Sequence, residues 1–375
     1  MIHFNNAGAS LPPDIVVDTV IDYLKEEAQK GGYETEAKYL DRINAVYGKI
    51  AGFINAETEE IALFENASAA WGTAFKGLQF EDGDEIIISE MEYVTNLIGL
   101  VDAQKAAQIK VTVIPNDENG DFSLKLLEES INAKTKLFIF THVSSSGGSI
   151  LPVEAIGELA EKHDILYLLD ACQSAGQIPL DVKKIKCDML SATGRKYLRA
   201  PRGTGFLFVK KAVQDKIRPA LKDFLSAGNV SLDGYTLRED ARRYELYEKN
   251  RALTLGLVAA IDYASSIGME RIWQRIESLS RLLRAKLVAI TGITLRDHGL
   301  QLSGIVTFSA DSLSSADIKT RLTQQGINVS IGVQQATPIY MENTGQESLV
   351  RASIHYYNTE GEINLFIQVI SDILR

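Results

Sequence analysis

Short apolar runs alternate with longer segments of helical periodicity through the first part of the chain. Seven runs have the length of β-strands: residues 61–64, 85–89, 111–114, 137–140, 165–169, 189–191 and 205–209. A run that is apolar at every position is typical of a strand buried on both faces. The intervening segments, such as residues 123–132 and 153–163, have the period of helices and can form crossovers between parallel strands. The pattern predicts an α/β fold with a mostly parallel seven-stranded sheet.

The periodicity changes in the later part of the chain. Residues 242–267 have apolar positions spaced for one long helix, which is followed by a second helical segment. Residues 304–309 and 349–355 then have the character of short strands. We therefore predict two units: residues 1–250 form an N-terminal segment and a large domain, and residues 251–375 form the connector helix and a small α+β domain.

Composition narrows the classes of function. The 375 residues are 45% hydrophobic and 23% charged, which is ordinary for a globular enzyme. Lys and Arg number 39 against 49 for Asp and Glu, a net charge of −10, so we expect no nucleic-acid partner. No apolar run approaches the roughly 18 residues of a membrane span, and residues 1–11 lack a signal-peptide pattern, so we predict a cytoplasmic protein. Two cysteines and five scattered histidines predict neither a disulfide framework nor a metal site.

One lysine lies in a loop of small residues between two predicted strands. The segment reads Thr193-Gly194-Arg195-Lys196 and is followed by Pro201-Arg202-Gly203-Thr204-Gly205. Arg195, together with burial, would lower the pKa of Lys196 and increase the fraction of free amine that can attack an aldehyde. Lys196 is therefore a candidate for a Schiff-base lysine. The alternative is a solvated surface lysine among ordinary turn glycines.

Two further signals follow predicted strands, at the edge where parallel sheets bind ligands. Asp170 comes directly after the run at 165–169, and a buried aspartate is costly unless a cation meets it. The protonated ring nitrogen of pyridoxal phosphate (PLP) would be such a cation, and a helix cap is the alternative. After the run at 61–64, Ala67 and Ser68 open a helix whose backbone N–H groups can hold a phosphate, although small residues also begin helices that bind nothing.

In this order, the motifs resemble the PLP-dependent enzymes of the class V aminotransferase family, which includes cysteine desulfurases and several C–S lyases. The resemblance covers nearly the whole chain and is carried by Asn5-Asn6-Ala7-Gly8, Asn66-Ala67-Ser68, His142-Val143-Ser144-Ser145, Asp170-Ala171-Cys172-Gln173, Thr193-Gly194-Arg195-Lys196 and residues 351–359. It implies fold-type I, with PLP bound in the large domain and a small domain that contributes to substrate binding.

The resemblance implies roles around the cofactor ring and the substrate. Lys196 matches the lysine that binds the cofactor covalently, and Asp170 matches the partner of the ring nitrogen. Gln173 matches the residue that hydrogen-bonds the phenolic oxygen. Arg351 matches the arginine that holds the substrate carboxylate, with a structural ion pair to a glutamate as the alternative, and Asn6 also falls at a substrate-binding position.

Other cofactor contacts are implied in the same way. Ala67, Ser68 and Thr193 fall at phosphate-contacting positions. Tyr93 stands where relatives stack a histidine on the cofactor ring; a tyrosine can stack equally well but cannot readily carry a proton at neutral pH. Ser145 stands where the family often has an asparagine that contacts the cofactor and the substrate carboxylate, so its shorter side chain leaves room or admits a water.

One departure from the family narrows the activity. Desulfurases of this family carry a cysteine on a loop near the C-terminus, whereas residues 329–338 of this chain contain no thiol. Persulfide chemistry needs a mobile nucleophilic sulfur, and Cys172 lies inside the cofactor motif while Cys187 lies on the other side of a predicted strand. We therefore expect no protein persulfide.

The family resemblance also implies a homodimer. Relatives supply one phosphate contact, usually a threonine, from the partner chain, and that position is Glu248 here. Because an acidic side chain would repel a phosphate, we expect Lys249, Asn250 or Arg251 to compensate.

Residues 194–205 and 241–248 look most like a branch that contains hercynylcysteine sulfoxide lyase and isopenicillin-epimerase-like proteins. The expected activity is therefore C–S bond cleavage by β-elimination on a cysteine-derived amino acid. An aminotransferase and an amino-acid epimerase are the alternatives among enzymes. A non-catalytic binding module is disfavoured because Lys196, Asp170 and Arg351 are all present.

Overall fold

The computed structural model describes residues 1–375. The strands are β1 (Ile2–His3), β2 (Ile61–Phe64), β3 (Glu85–Ser89), β4 (Lys110–Ile114), β5 (Thr135–Thr141), β6 (Leu166–Asp170), β7 (Met189–Thr193), β8 (Gly205–Val209), β9 (Ala227–Ser231), β10 (Gly234–Leu237), β11 (Ile293–Leu295), β12 (Ile305–Ala310), β13 (Ile327–Asn328), β14 (Ser330–Val333) and β15 (Ser348–Ser353). The α-helices are α1 (Asp14–Lys30), α2 (Gly32–Ile54), α3 (Ala67–Gly77), α4 (Val94–Ala107), α5 (Leu124–Ser130), α6 (Val153–Lys162), α7 (Val182–Ile185), α8 (Arg251–Ile267), α9 (Met269–Val288), α10 (Ser315–Gln324), α11 (Pro338–Asn343) and α12 (Glu360–Leu374).

Seven strands form the central sheet, in the spatial order β2-β8-β7-β6-β5-β3-β4. All neighbours are parallel except that β8 runs antiparallel to both β2 and β7. These strands are the seven apolar runs of the sequence, and β3, β7 and β8 are buried along their whole length. The predicted α/β fold with a mostly parallel seven-stranded sheet is confirmed.

The two faces of the central sheet bury separate apolar layers, because successive side chains of a strand point to opposite faces. On β5, Phe138 and Phe140 belong to one buried cluster, and Leu137 and Ile139 belong to the other. The first layer is covered by α2, α6 and α8, and the second by α3 and α4. Each of these large side chains contributes roughly 1.5–3 kcal/mol by burial. With both faces covered, the strand ends are the part of the sheet left for a ligand.

A second, antiparallel sheet has the order β11-β12-β15-β14. Its apolar face packs against α9, α10 and α12 around Phe308 and Phe366. The N-terminus joins this unit, because β1 pairs with β13 and Phe4 lies in the same apolar cluster. Leu257 of α8, in contrast, packs in the core of the central sheet. The division between residues 250 and 251 stays a prediction, and side-chain packing crosses it in both directions.

The predicted long helix over residues 242–267 is wrong at its start. The chain makes one short turn and then runs without helix to Asn250, whose side chain caps α8. Glu245 accounts for the break, because its buried carboxylate accepts hydrogen bonds from the Tyr47 hydroxyl at 2.8 Å and the Leu63 N–H at 2.7 Å. These polar contacts with distant residues override the local helical periodicity.

No single helix is both long and apolar enough to cross a membrane. The consecutive helices α8 and α9 together reach the length and hydropathy of a span, but they are bent by 78° at their junction. Within the fold, α8 packs against α1 and α2.

Gly157 lies where α6 closely approaches the end of α7. A Cβ at Gly157 would collide with the carbonyl oxygen of Ile185, which is backbone and cannot rotate away. We expect Gly157→Ala to lower the free energy of unfolding by about 1–3 kcal/mol, as overpacking in a core does. Gly52→Ala is the matched helical control, because a Cβ there meets no atom within 4 Å and should stabilise α2 by up to about 1 kcal/mol. Urea denaturation measures both, and equal effects of the two variants would contradict the close approach.

Candidate active site

One pocket collects the polar residues that end or follow β2, β3, β5, β6 and β7. Its walls are Asn66, Ala67, Ser68, Trp71, Tyr93, Thr95, Asn96, Thr141, Val143, Ser145, Asp170, Cys172, Gln173, Thr193, Arg195 and Lys196. Eight of the ten site residues predicted from the sequence lie in this set, and Arg351 and Asn6 do not. The tertiary structure therefore brings together residues that are far apart in the chain at one edge of the sheet.

Lys196 lies in the loop after β7 and makes neither an ion pair nor a side-chain hydrogen bond within the chain. Burial lowers the pKa of Lys196 below its usual value. The charge of Asp170 acts in the opposite direction, and the guanidinium groups of Arg195 and Arg351 lower this pKa further. The amine is therefore easier to deprotonate, which both a nucleophile and a general base require.

Asp170 ends β6, and only 6% of its surface is exposed. Its Oδ1 accepts a hydrogen bond from the Cys172 N–H at 2.8 Å. No basic side chain of the chain forms an ion pair with it. Because a buried carboxylate is costly without a cation, Asp170 is poised to meet a positively charged group of a ligand.

Three buried polar atoms of the pocket residues have no partner in the protein, and Trp71 Nε1 is one of them. Ser145 Oγ and Gln173 Oε1 make no hydrogen bond, whereas Gln173 Nε2 donates to the Ala7 carbonyl at 3.2 Å. Unsatisfied buried polar atoms are rare in native proteins and call for a bound partner. A ligand with hydrogen-bonding groups between Ser145 and Gln173 would satisfy them.

The start of α3 forms another part of the pocket. Asn66 caps this helix by accepting a backbone hydrogen bond of 2.9 Å. The backbone N–H groups of Ala67 and Ser68 belong to the first turn of the helix, which has no intrahelical acceptors. Thr193 and Arg195 line the same pocket. A helix N-terminus beside a hydroxyl and a guanidinium is suited to a phosphate.

Arg351 approaches the pocket from the second sheet, where it lies on β15. Its Nε donates to Ser330 Oγ at 2.9 Å, and its Nη1 donates to the Ser145 carbonyl at 2.9 Å. It forms no ion pair, so the alternative of a structural pair with a glutamate is wrong. Burial lowers the pKa of Arg351, which reflects the cost of its unpaired charge. Arg351 is therefore available to a carboxylate that enters beside Ser145.

Asn6 lies outside the pocket and is completely buried. Its Nδ2 donates to the Ser353 carbonyl at 2.7 Å and to Asn358 Oδ1 at 3.3 Å, and its Oδ1 accepts from the Tyr357 hydroxyl. These bonds join the N-terminal segment to the end of β15. The amide has no free hydrogen for a substrate, so its position does not support the predicted substrate contact.

The surroundings of Tyr93 depend on contacts that the local sequence does not predict. Tyr93 precedes α4 and forms a half-exposed pocket wall, with 39% of its surface exposed. Glu92 beside it is fully buried and accepts hydrogen bonds from Asn96 and Thr141, which both line the pocket. The acidic residue directly before Tyr93 was the one local signal. Its bond to Thr141 spans 49 residues of sequence and could not be inferred from local pattern.

Both cysteines are free thiols that lie outside residues 329–338. Cys187 is buried, Cys172 lines the pocket, and burial raises the pKa of both thiols. A raised pKa disfavours the thiolate, which is the reactive form of cysteine. The segment 329–338 contains β14 and the turn that leads into α11, and it has no thiol.

Comparison with known proteins gives a consistent picture. The family described as aminotransferase class-V matches residues 2–366. Probable cysteine desulfurases from Methanothermobacter thermautotrophicus and a Synechocystis species are each 31% identical to this chain; the matches cover 99% and 100% of it and 94% and 91% of those proteins.

Solved structures agree with this picture. An apo cysteine desulfurase from Thermococcus onnurineus NA1 superimposes with a TM-score of 0.94 at 28% identity, covering 100% of this chain and 94% of the other. The cystine C–S lyase C-DES, solved with its product cysteine persulfide, matches in fold with a TM-score of 0.89 at 23% identity, covering 99% and 97% of the two chains. The predicted family and fold-type I architecture are confirmed, while the lyase branch stays a prediction. Because the family match extends over almost the entire sequence, the chain belongs to the class V aminotransferase family.

Proposed function

We propose that this protein uses PLP to cleave the C–S bond of a cysteine-derived amino acid by β-elimination. The reaction removes the α-proton and expels the sulfur group from the β-carbon, and hydrolysis of the remaining enamine gives pyruvate and ammonium. The observation that carries the proposal is that Lys196 and Asp170 line one pocket while Arg351 bonds to the carbonyl of the pocket residue Ser145, and none of the three is in an ion pair. The relatives named cysteine desulfurases support chemistry at a C–S bond.

The pocket residues fit PLP. Asp170 would pair with the protonated ring nitrogen, and the unpartnered oxygens of Ser145 and Gln173 lie in the same pocket to meet polar groups of the cofactor or substrate. For Gln173 to donate to the phenolic oxygen, its amide would turn and its Nε2 would leave the Ala7 carbonyl. When bound, PLP supplies an electron sink for the negative charge that develops at the substrate α-carbon.

The phosphate would lie at the start of α3. The backbone N–H groups of Ala67 and Ser68 and the hydroxyl of Thr193 are the neutral donors there. Arg195 adds a fixed positive charge in the same pocket. Tyr93 forms a half-exposed wall of the pocket and would stack on the ring.

Arg351 would bind the substrate carboxylate, and Lys196 would accept the α-proton. The planar guanidinium of Arg351 can hold the α-carboxylate by two charge-assisted bonds and so fix the direction of the Cα–H bond. Lys196, with its lowered pKa, would accept the α-proton as a general base. With the proton held at Lys196 Nζ, the group lost from the β-carbon decides the product.

The sulfur would leave without passing through a protein persulfide. Cys187 is buried and Cys172 is partly buried, burial raises the pKa of both thiols, and the turn after β14 that leads into α11 carries glutamines instead of a cysteine. These features favour a free sulfur product. They also favour the branch of C–S lyases that includes hercynylcysteine sulfoxide lyase.

A homodimer and a cytoplasmic location complete the proposal. Two unpaired cysteines fit a reducing compartment.

Glu248 is exposed, and it stands at the position where the family resemblance implies a threonine that contacts the phosphate bound by the partner chain. Lys249 bonds to Glu245, and Arg251 pairs with Glu36 at 2.8 Å, so these two cations are already engaged within their own chain. Asn250 is exposed, and although its Oδ1 caps α8, its Nδ2 can still donate across a dimer interface.

The first prediction separates the lyase from the alternatives. A mixture of cysteine conjugates should yield pyruvate and ammonium without any added keto acid, and Cys172→Ala/Cys187→Ala should retain activity within about tenfold, or 1.4 kcal/mol. Pyruvate assay with lactate dehydrogenase measures both proteins. Turnover that requires a keto acid would favour an aminotransferase, and loss of the α-deuterium of a substrate without pyruvate formation would favour an epimerase. Loss of activity on replacement of Cys187, with persulfide found on that residue, would refute the thiol-free route.

A second prediction concerns Lys196. Borohydride reduction of the PLP-loaded enzyme, followed by peptide mass spectrometry, should place the pyridoxyl group on Lys196, because its free amine lies in the pocket. Lys196→Ala should bind PLP only noncovalently and lose turnover. Lys184→Ala is a control on an exposed lysine. A pyridoxyl group found on any other lysine would contradict the assignment.

A further prediction is that Arg351 binds the carboxylate of the substrate. Arg351→Ala should cost roughly 2–5 kcal/mol, because it leaves the substrate charge unpaired, which corresponds to about 30-fold to several-thousand-fold in kcat/KM. Arg351→Lys should recover part of the loss, since a point charge cannot reproduce the planar fork. Kinetics with an amino acid and its amide check the role. If wild type and Arg351→Ala prefer the carboxylate equally, Arg351 is structural.

A further inference from the structure

Glu92 is a fully buried carboxylate beside the active site. Its two oxygens accept four hydrogen bonds, from Ser89 Oγ at 3.0 Å, Asn96 Nδ2 at 3.0 Å, and the Thr141 N–H and hydroxyl at 2.8 Å each. These donors belong to the end of β3, the first turn of α4 and the end of β5. The carboxylate therefore ties three elements together.

The same contacts reach the pocket. Asn96 and Thr141 line it, and Tyr93, the next residue after Glu92, forms its wall. In the β5–β6 ladder, Thr141 is the register partner of Asp170. The hydroxyl held by Glu92 thus lies next to the carboxylate that would meet the cofactor ring.

The donor set matches an ionised carboxylate. The Thr141 N–H and the Asn96 amide nitrogen can only donate, so a proton on Glu92 has to be accepted by the hydroxyl of Ser89 or Thr141. If Thr141 accepts it, the hydroxyl hydrogen must turn away from Glu92. Protonation of Glu92 would then change what Thr141 presents to the pocket.

We propose that Glu92 is a positioning residue whose ionised carboxylate fixes the Thr141 hydroxyl and the Tyr93 wall for cofactor binding. The inference rests on the proposed PLP site. It assigns Glu92 no contact with substrate or cofactor. Its influence passes through Thr141, Asn96 and the backbone turn at Tyr93.

The surroundings of Glu92 bring the pKa of its carboxyl close to neutral pH. Burial raises the pKa of Glu92 to about 7; the hydrogen bonds from Asn96 and Thr141 lower it, and the charge of Asp170 raises it. Burial and nearby acidic groups, among them Glu92, raise the pKa of Tyr167 on β6, and no basic side chain forms an ion pair with Glu92.

The raised pKa has two opposite consequences between about pH 4.5 and 7. The folded protein keeps the Glu92 proton while the unfolded chain has lost it, so the stability that this group contributes falls as pH rises through the window. PLP binding should instead strengthen with pH, because ionised Glu92 orders the pocket. A falling melting temperature of the apoprotein together with rising PLP affinity is the expected signature.

The test compares wild type with Glu92→Gln, Glu92→Asp and Glu90→Gln. The dissociation constant of PLP is measured by absorbance, and the melting temperature of the apoprotein is measured across the same pH range. Glu92→Gln should weaken PLP binding about tenfold above pH 7 and flatten both pH dependences, whereas Glu92→Asp, which keeps the charge, should retain them in part. Glu90 is buried in the same turn but bonds to Asn343 at 2.7 Å, so Glu90→Gln should behave as wild type.

Thr141→Val tests the route and also serves if Glu92→Gln does not fold. It should flatten the pH dependence of PLP affinity, and its effect should not add to that of Glu92→Gln. Additive losses, or a Glu92→Gln protein that keeps wild-type affinity and pH dependence while melting earlier, would overturn the inference and make Glu92 purely structural. If wild type fails to bind PLP, the cofactor site and this inference fall together; if wild type binds and the variants match it, this inference alone fails.

Discussion

The cost of burying unpaired charge is the constraint on which the pocket depends. Asp170 is buried in the pocket, Lys196 is partly buried beside it, and Arg351 is partly buried at its edge; none of them forms an ion pair, and a buried unpaired ion costs several kcal/mol. Such side chains would turn toward water if the backbone allowed it. They are held because Asp170 ends a buried central strand, Lys196 follows another, and Arg351 lies on a strand paired on both sides. The binding of an oppositely charged ligand would offset this free-energy cost.

The two sheets depend on each other through Arg351. Its strand, β15, lies between β12 and β14, so Arg351 is in register with Thr307 on one side and Ser330 on the other. The Arg351 guanidinium then reaches the Ser145 carbonyl, which follows β5 of the central sheet. Asn6 reinforces the same junction by tying the N-terminal segment to Ser353 at the end of β15. A shift of the small sheet would therefore move the proposed carboxylate contact.

The chain belongs to the same family as proteins named cysteine desulfurases, and its two thiols lie outside the segment where the family resemblance implies a cysteine. A reactive thiol has to be accessible and easily ionised. Burial raises the pKa of Cys172 and Cys187, and neither lies in the segment between β13 and α11. The thiol-free route proposed for the sulfur rests on this placement, whereas the proposed steps at the α-carbon depend on the pocket residues.

The seven central strands could be predicted from the amino-acid sequence, because a strand buried on both faces has an unbroken apolar run. The main pocket residues could be predicted as well, because the polar residues that follow such runs meet at one edge of the sheet. The roles assigned to Lys196 and Asp170 had local signals of this kind, sharpened by family resemblance. Tertiary structure alone decided the break before α8, where Glu245 turns inward to Tyr47, and the engagement of Asn6 with Ser353. It also decided the bond between Glu92 and Thr141. The apolar pattern is set by neighbours in sequence, whereas a buried polar group takes its partner from whichever distant segment packing brings within hydrogen-bond distance.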